Sequence, residues 1–356
     1  MNLRDLDWPL NSAVLFIFCA GLLALASAAR NLFWLQLGWG VLAAALILLA
    51  ANFDWRSFIG YRWFIFGIYA LSMFFLITTD LFAPSVRGHR GWLPLGPFRF
   101  QTSELAKLAL ILALSYFFAK RHVGIAHAKT IFASFVYFAI PAAFILITKD
   151  MGSTLILFGI WFGYLLVSGI RWRHLFYATV IGLIALAALW HFGLKQYQKD
   201  RIIGLFNPEQ DPLGMNYNVI QAKIAIGSAG SLGKGFGQGT QTQLGFLPEA
   251  QTDFMFAAFT EEWGLFGITL VLLAFFIMLY RIVRIALRSD NNFFKLVALG
   301  ASFMFLLHFI VNTGSNLGIL PVIGVSFPFL SYGGSNLIIS ALLIGIIQSS
   351  ALHKRF

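Results

Sequence analysis

The segment Asn207–Gly267, NPEQDPLGMNYNVIQAKIAIGSAGSLGKGFGQGTQTQLGFLPEAQTDFMFAAFTEEWGLFG, is the one long polar, glycine-punctuated stretch in an otherwise apolar chain. A connection of this length is usually either functional or disordered. Apolar residues recur throughout it, which disordered segments rarely show. We therefore expect a folded external element that carries the chemistry and divides the apolar spans before it from those after it.

The composition places the rest of the chain in a lipid bilayer. Of 356 residues, 59% are hydrophobic and only 11% are charged, with a mean hydropathy of +0.80. A soluble domain of this size does not bury so much apolar surface. The formal charge of +11 fits anionic headgroups and cytoplasmic loops, and we expect no nucleic-acid partner. The single cysteine, Cys19, can form no intramolecular disulfide.

Apolar runs of about 17–22 residues predict an all-α, polytopic membrane protein with about ten transmembrane helices in a single domain, residues 1–356. The first run is interpreted as a retained helix and not a signal peptide, because the residues before it carry one Arg against two Asp. The predicted spans are 9–28, 33–52, 62–82, 104–120, 130–148, 152–169, 173–192, 255–280, 296–316 and 333–352.

Lys and Arg concentrate in alternate connections, which predicts the orientation by the positive-inside rule. Both termini are then cytoplasmic, and the large loop of about 193–254, between helices 7 and 8, is extracytoplasmic. The connection Ala83–Ser103 breaks the rule, since it holds Arg87, Arg90 and Arg99 without an acid. It is either a loop at headgroup level or a basic collar for an anionic, lipid-linked substrate.

Several charges fall where lipid tolerates them poorly, and ionisable groups at membrane depth often mark functional cavities. Glu104 and Lys107 lie three residues apart in the fourth span and share a helix face. They either neutralise each other within the bundle or line a substrate cavity. Asp253 is either an ordinary acid at a helix start, with Thr252 as cap, or a functional carboxylate.

Five motifs together resemble the SEDS (shape, elongation, division and sporulation) family, from about residue 60 to the C-terminus. Their forms are closer to the elongation member than to the division member. The resemblance implies that the chain polymerises glycan strands of peptidoglycan from lipid II, releasing undecaprenyl diphosphate, beside a class B penicillin-binding protein. The motifs are QTSELAKLAL (101–110), KDMGSTLILF (149–158), NPEQDPLG (207–214), FLPEAQTDF (246–254) and PFLSYGGS (328–335).

The resemblance also implies roles for individual residues. The aspartate regarded as catalytic in the family falls on Asp253, which we expect to be a general base. Cations would neutralise the diphosphate, and a divalent cation such as Mg²⁺ or Mn²⁺ could assist them. By the resemblance, the predicted substrate-binding residues are Glu104, Lys107 and Asp150, in the bacterial cytoplasmic (inner) membrane. The chemistry of the leaving group adds Arg87, Arg90 and Arg201 as further predicted substrate-binding residues.

Two other functions fit much of the same pattern: a transporter that flips lipid II, and a non-catalytic scaffold for the crosslinking enzyme. A transporter should carry charges along the bundle interior, whereas here the costly groups cluster on one side, with Glu261, Glu262 and His308 as exceptions. We therefore favour the enzyme. The neutral stretch Asn312–Tyr332 either docks a single-span partner or lines the lipid groove.

The orientation can be tested by labelling intact cells. In a Cys19→Ser background, a cysteine at Gln238 should react with an impermeant thiol reagent, because the long loop is predicted to be outside. A cysteine at Ser289 should react only after the membrane is permeabilised. The reverse labelling pattern would overturn the predicted orientation.

Overall fold

The structure is a computed structural model, which describes residues 6–59, 61–84, 90–96, 98–121, 128–169 and 216–352, with isolated positions between 172 and 214. Within these ranges it contains helices and one two-stranded antiparallel hairpin. In chain order the elements are α1 (Trp8–Ala28), α2 (Arg30–Asn52), α3 (Arg56–Ile59), α4 (Arg62–Phe82), β1 (Trp92–Leu95), β2 (Phe98–Gln101), α5 (Thr102–Ala119), α6 (Ala128–Ile147), α7 (Met151–Val167), α8 (Tyr217–Ser228), α9 (Thr240–Gln243), α10 (Met255–Arg288), α11 (Asn292–Asn316) and α12 (Gly334–Leu352).

The polytopic helical fold predicted from hydropathy is confirmed. Eight of the described helices are long and apolar enough to cross a membrane, and α7 is a shorter apolar helix. Each of these nine helices coincides with a predicted span. The predicted seventh span, 173–192, and the first part of the long loop, 193–215, lie largely outside the described residues.

Burial divides the bundle into central and peripheral helices. In α5 almost every residue from Thr102 to Phe118 is buried, and most of α12 is buried as well. In α2, by contrast, few residues are buried and large apolar side chains such as Trp34 and Leu49 are exposed. A helix that is apolar all round and buried lies at the centre of a bundle. Polar groups on α5 are therefore enclosed by protein.

Helix α10 is broken near its start, which the prediction of one continuous eighth span missed. Gly264 has φ 67° and ψ −171°, a conformation open mainly to glycine. The break separates a short segment, 255–263, from a long one, 265–288. The glycine-rich loop Gly230–Phe246 packs against it, since Leu265 and Phe266 donate backbone N–H groups to the Gly230 and Ser231 carbonyls at 3.1 and 3.0 Å.

Candidate active site

Four helices begin at one end of the bundle and bring the motif residues together there. These are α5, α7, α10 and α12. Side-chain and backbone hydrogen bonds join their first turns or the residues just before them. The contacts are Ser103 Oγ to Asp150 Oδ2 (3.2 Å), Asn336 Nδ2 to Glu104 Oε2 (3.3 Å) and Tyr332 N to Gln251 O (2.9 Å).

The predicted Glu104–Lys107 pair is present in the first turns of α5. Lys107 Nζ lies 2.7 Å from Glu104 Oε1, and the two residues are 2% and 3% exposed. Breaking such a buried pair is strongly destabilising, because it leaves an uncompensated charge. In this conformation neither charge meets solvent, so contact with a substrate would require the groups that cover Lys107 to separate.

His308 on α11 completes the environment of Lys107. Its Nε2 lies 3.1 Å from Lys107 Nζ, and its Nδ1 lies 3.1 Å from the Ser326 carbonyl oxygen. Because Lys107 can only donate, Nε2 must accept, which assigns the proton of a neutral imidazole to Nδ1. Nδ1–H then donates to Ser326. Every polar atom of the buried imidazole has a partner.

The same face of α11 holds the backbone that carries Asp253. Asn312 and Asn316 follow His308 at intervals of four residues and therefore project from one side of the helix. Both donate from Nδ2 to the Asp253 carbonyl oxygen at 2.9 Å, and Asn312 also donates to the Val325 carbonyl at 2.8 Å. We call His308, Asn312 and Asn316 the α11 polar face. The sequence interpretation missed the two asparagines, although their spacing on an apolar helix was a usable signal.

Asp253 lies in the turn before α10 and is partly exposed. The turn is closed by the Glu249 carbonyl, which accepts from the Phe254 N–H at 3.2 Å. The helix-cap interpretation, with Thr252 as cap, is wrong: Phe254 occupies the cap position, and the first-turn N–H of Ala257 donates to Asn316 Oδ1 at 3.1 Å. The carboxylate faces the loop after α11, where its Oδ2 lies 3.8 Å from the position a Cβ on Gly324 would take.

Asp150 has a local structural task in addition to any role toward substrate. It is the N-cap of α7, where Oδ1 accepts from the Ser153 N–H at 2.9 Å. Its Oδ2 accepts from Ser103 Oγ at 3.2 Å, one residue before Glu104. Asp150 therefore ties α7 to the start of α5, and its predicted contact with substrate stays a prediction.

The arginines and the cation remain predictions. Arg90 is exposed and donates from Nη1 to the Asp80 carbonyl at 3.3 Å, at the end of α4. Arg87 and Arg201 lie outside the described residues. The described part of the chain contains no cluster of three or more His, Cys, Asp or Glu that could hold a metal. Mg²⁺ is commonly held by one or two carboxylates together with substrate phosphates. Asp253 would be the carboxylate of such a site.

Backbone strain marks the same end of the bundle. Among the described non-glycine residues, positive φ angles occur at Lys149 (66°), Glu249 (53°) and Phe329 (62°). Lys149 precedes Asp150, Glu249 closes the turn of Asp253, and Phe329 lies in the PFLSYGGS motif. Such conformations cost of order 1–3 kcal/mol each and cluster at active sites. All three fall in motifs that carry the family resemblance.

Glu261 and Glu262 were exceptions to the clustering of charges, and the structure gives them partners in the glycine-rich loop. Glu261 is fully buried and accepts from Lys234 Nζ (2.8 Å) and the Gln241 N–H (2.9 Å), among others. Glu262 accepts from Gln243 Nε2 of the loop at 3.2 Å and also contacts Ser27 at the end of α1. Both belong to the short segment of α10, so they anchor this loop and do not line a path through the bundle.

Comparison with known proteins identifies the group to which this architecture belongs. A family model described as "Cell cycle protein" and named for FtsW, RodA and SpoVE matches residues 11–355. Peptidoglycan glycosyltransferase MrdB of Escherichia coli K12 is 38% identical over 288 residues, covering 81% of this chain and 78% of MrdB.

Solved structures agree with the family model. The rod shape determining protein RodA of Thermus thermophilus superimposes with a TM-score of 0.74 at 27% identity, covering 99% of this chain and 98% of RodA. A second structure superimposes with a TM-score of 0.85 at 28% identity, covering 98% of this chain and 99% of that one. It comes from a study of how a peptidoglycan synthase complex coordinates polymerization and crosslinking. The predicted likeness to the elongation member is confirmed, and the chain belongs to the SEDS family of FtsW, RodA and SpoVE proteins.

Proposed function

We propose that this chain is a peptidoglycan glycosyltransferase that polymerises lipid II into β-1,4-linked glycan strands during cell elongation and maintenance of rod shape. The observation that carries the proposal is Asp253: a partly exposed carboxylate, in the most family-specific motif, on a backbone fixed by the α11 polar face. Relatives that match most of the chain are named peptidoglycan glycosyltransferases, which supports the reaction class.

Each step of the reaction exchanges one bond at the anomeric carbon. The sugar hydroxyl of one precursor forms a bond to the anomeric carbon of another, and the bond to the diphosphate-lipid breaks. Asp253 accepts the hydroxyl proton as general base, and the electron pair of the broken bond leaves on undecaprenyl diphosphate. Displacement from the opposite face converts the α-linked donor into a β-linked product.

The leaving diphosphate needs positive potential, and two sources lie at this end of the bundle. The N-termini of α5, α7, α10 and α12 meet there, and each helix N-terminus carries a partial positive charge. Lys107 is a second source, and we propose that binding of substrate uncovers it while Glu104 and His308 keep it oriented. Asp150, Arg87, Arg90 and Arg201 remain proposed contacts for the precursor, on the extracytoplasmic side of the bacterial inner membrane.

The flippase alternative loses support from the glutamates of α10. Ionisable groups along a transport path face the bundle interior or a water-filled cavity. Glu261 is buried and bonded to several groups of the glycine-rich loop, which fits an anchor better. The scaffold alternative explains a partner but gives no reason for a partly exposed acid among strained motif residues.

Asp253→Asn tests the general base directly. Asparagine preserves size and hydrogen bonding but cannot take up the proton, so polymerisation of lipid II by the purified protein should fall by about 10²–10⁴-fold. Glycan ladders on gels measure the change. Asp290→Asn, an exposed acid beyond the far end of α10, is the matched control and should leave the rate unchanged. Near wild-type ladders from Asp253→Asn would remove the proposed base.

A charge swap tests whether Glu104 and Lys107 do more than pair. Glu104→Lys with Lys107→Glu keeps one ion pair on α5, but it moves the cation away from His308 and toward Asn336. We expect a folded protein whose activity stays at least about tenfold below wild type, since misplacing a catalytic charge by about 1 Å can cost about 10²-fold. Thermal unfolding and glycan ladders should be measured together.

The control for the swap is the Asp7–Arg281 ion pair, which joins α1 and α10 at the opposite end of the bundle, with Oδ2 and Nη2 2.5 Å apart. Exchanging these two residues should leave the polymerisation rate close to wild type. Full recovery of activity in the Glu104–Lys107 swap would mean that the pair is structural only.

We further propose that the partner, a class B penicillin-binding protein, docks beside the loop after α11. The related chain in a peptidoglycan synthase complex supports such a partner. Val325, which sequence analysis placed in the docking stretch Asn312–Tyr332, is 7% exposed and packs inside, whereas Ile319 is 69% exposed. Ile319 is therefore the residue of this stretch that we select for contact with a partner.

Ile319→Asp should weaken co-purification with the penicillin-binding protein by at least about tenfold, because a carboxylate buried in the interface without a partner costs more than about 1.4 kcal/mol. Leu287→Asp, at a similarly exposed residue at the far end of α10, is the control. Unchanged binding with lost polymerisation would assign Ile319 to the lipid groove.

A further inference from the structure

The glycine-rich loop Gly230–Phe246 takes no part in the proposed reaction, yet it exposes large apolar side chains. Leu232 is 77% exposed and Leu244 is 67% exposed, and Phe236 and Phe246 are about half exposed. We propose that this loop lies within the interfacial layer of the bilayer, with these four side chains at the boundary between headgroups and acyl chains. The partner of this surface is lipid.

The break in α10 sets the depth of the loop. Beyond Gly264 the long segment runs from Leu265 to Arg288, about 36 Å at 1.5 Å per residue, which matches one crossing of the bilayer. Leu265 and Phe266, its first residues, are 58% and 63% exposed and donate hydrogen bonds to the carbonyls of Gly230 and Ser231. Leu232, the next residue in the loop, is therefore held beside the first lipid-facing residues of α10.

The end of α1 gives a second, independent marker of depth. α1 ends at Ala28 and α2 begins at Arg30, so the chain turns back at the membrane boundary there. Gln243, in the same loop, donates from Nε2 to Ser27 Oγ at 2.7 Å. The residues before Leu244 are thus held at the level where α1 leaves the membrane, as those before Leu232 are held at the start of the long segment of α10.

Several backbone N–H groups of the loop are satisfied from within the protein, which lowers the free-energy cost of placing the loop at this level. The buried Glu261 carboxylate accepts the backbone N–H groups of Gln241 and Thr242, and the Glu261 and Glu262 carbonyls accept those of Lys234 and Gly235. Irregular backbone is not tolerated in the hydrocarbon core. Phe and Leu on a polar backbone suit the interfacial layer. Continuity with α10 favours lipid over a protein partner.

Fluorescence quenching tests the proposal without any enzyme assay, so its outcome is independent of the proposed function. In a Cys19→Ser background, single cysteines replace Leu232, Phe236 and, as a control on the same loop, the exposed Gln238. Each is labelled with the fluorophore NBD and reconstituted into vesicles of phosphatidylethanolamine and phosphatidylglycerol. The quenchers are a lipid spin-labelled near the top of the acyl chain and aqueous iodide.

Labels at 232 and 236 should be quenched by the spin-labelled lipid at least about twofold more than the label at 238, as expected for an interfacial element. Iodide should quench them less than it quenches the control. Equal quenching of all three by iodide, with no effect of the lipid, would overturn the proposal. A response at 232 and 236 only on adding the penicillin-binding protein would also overturn it, because the surface would then belong to a protein partner.

Discussion

A charge enclosed by a helical bundle must have a partner at each hydrogen-bonding atom, and this requirement organises the end of the molecule that carries the motifs. Lys107 is enclosed among apolar helices, and Glu104 and His308 take two of its donors. Glu104 in turn accepts a hydrogen bond from Asn336, and His308 donates one to the Ser326 carbonyl. A single buried cation thereby fixes the relative positions of α5, α11, α12 and the loop that follows α11.

The α11 polar face extends that constraint to the acid. The helix that accepts a hydrogen bond from Lys107 through His308 also holds the Asp253 carbonyl through Asn312 and Asn316. Displacement of α11 would therefore disturb both groups together. Because these asparagines bind the carbonyl oxygen of Asp253, its main chain is positioned before any substrate arrives. Such preorganisation is what electrostatic catalysis requires of a scaffold.

The membrane spans and the buried ion pair could be predicted from the sequence. The contacts between distant helices and the break in α10 were not predicted, for physical reasons. Spans follow from hydropathy, and the Glu104–Lys107 pair follows from its spacing of three on one helix. The bond from Lys107 to His308 crosses 201 positions and that from Asn312 to Asp253 crosses 59, so no local pattern contains them. The break at Gly264 was missed because residues 255–280 were interpreted as one continuous apolar span. A glycine next to two glutamates was the available signal.

The burial of Lys107 changes how the electrostatics of the site should be understood. A lysine paired at 2.7 Å with Glu104 adds little net charge beyond their immediate surroundings. Each helix N-terminus, by contrast, carries the equivalent of about half a positive charge. Four of them meet here, and Glu104, Asp150 and Asp253 lie in or next to three of them. In the proposed function, a diphosphate approaching the site would first meet these helix ends. Lys107 would contribute its positive charge to binding only after the substrate had separated the groups that cover it. The site would then gain a full positive charge only when substrate is bound.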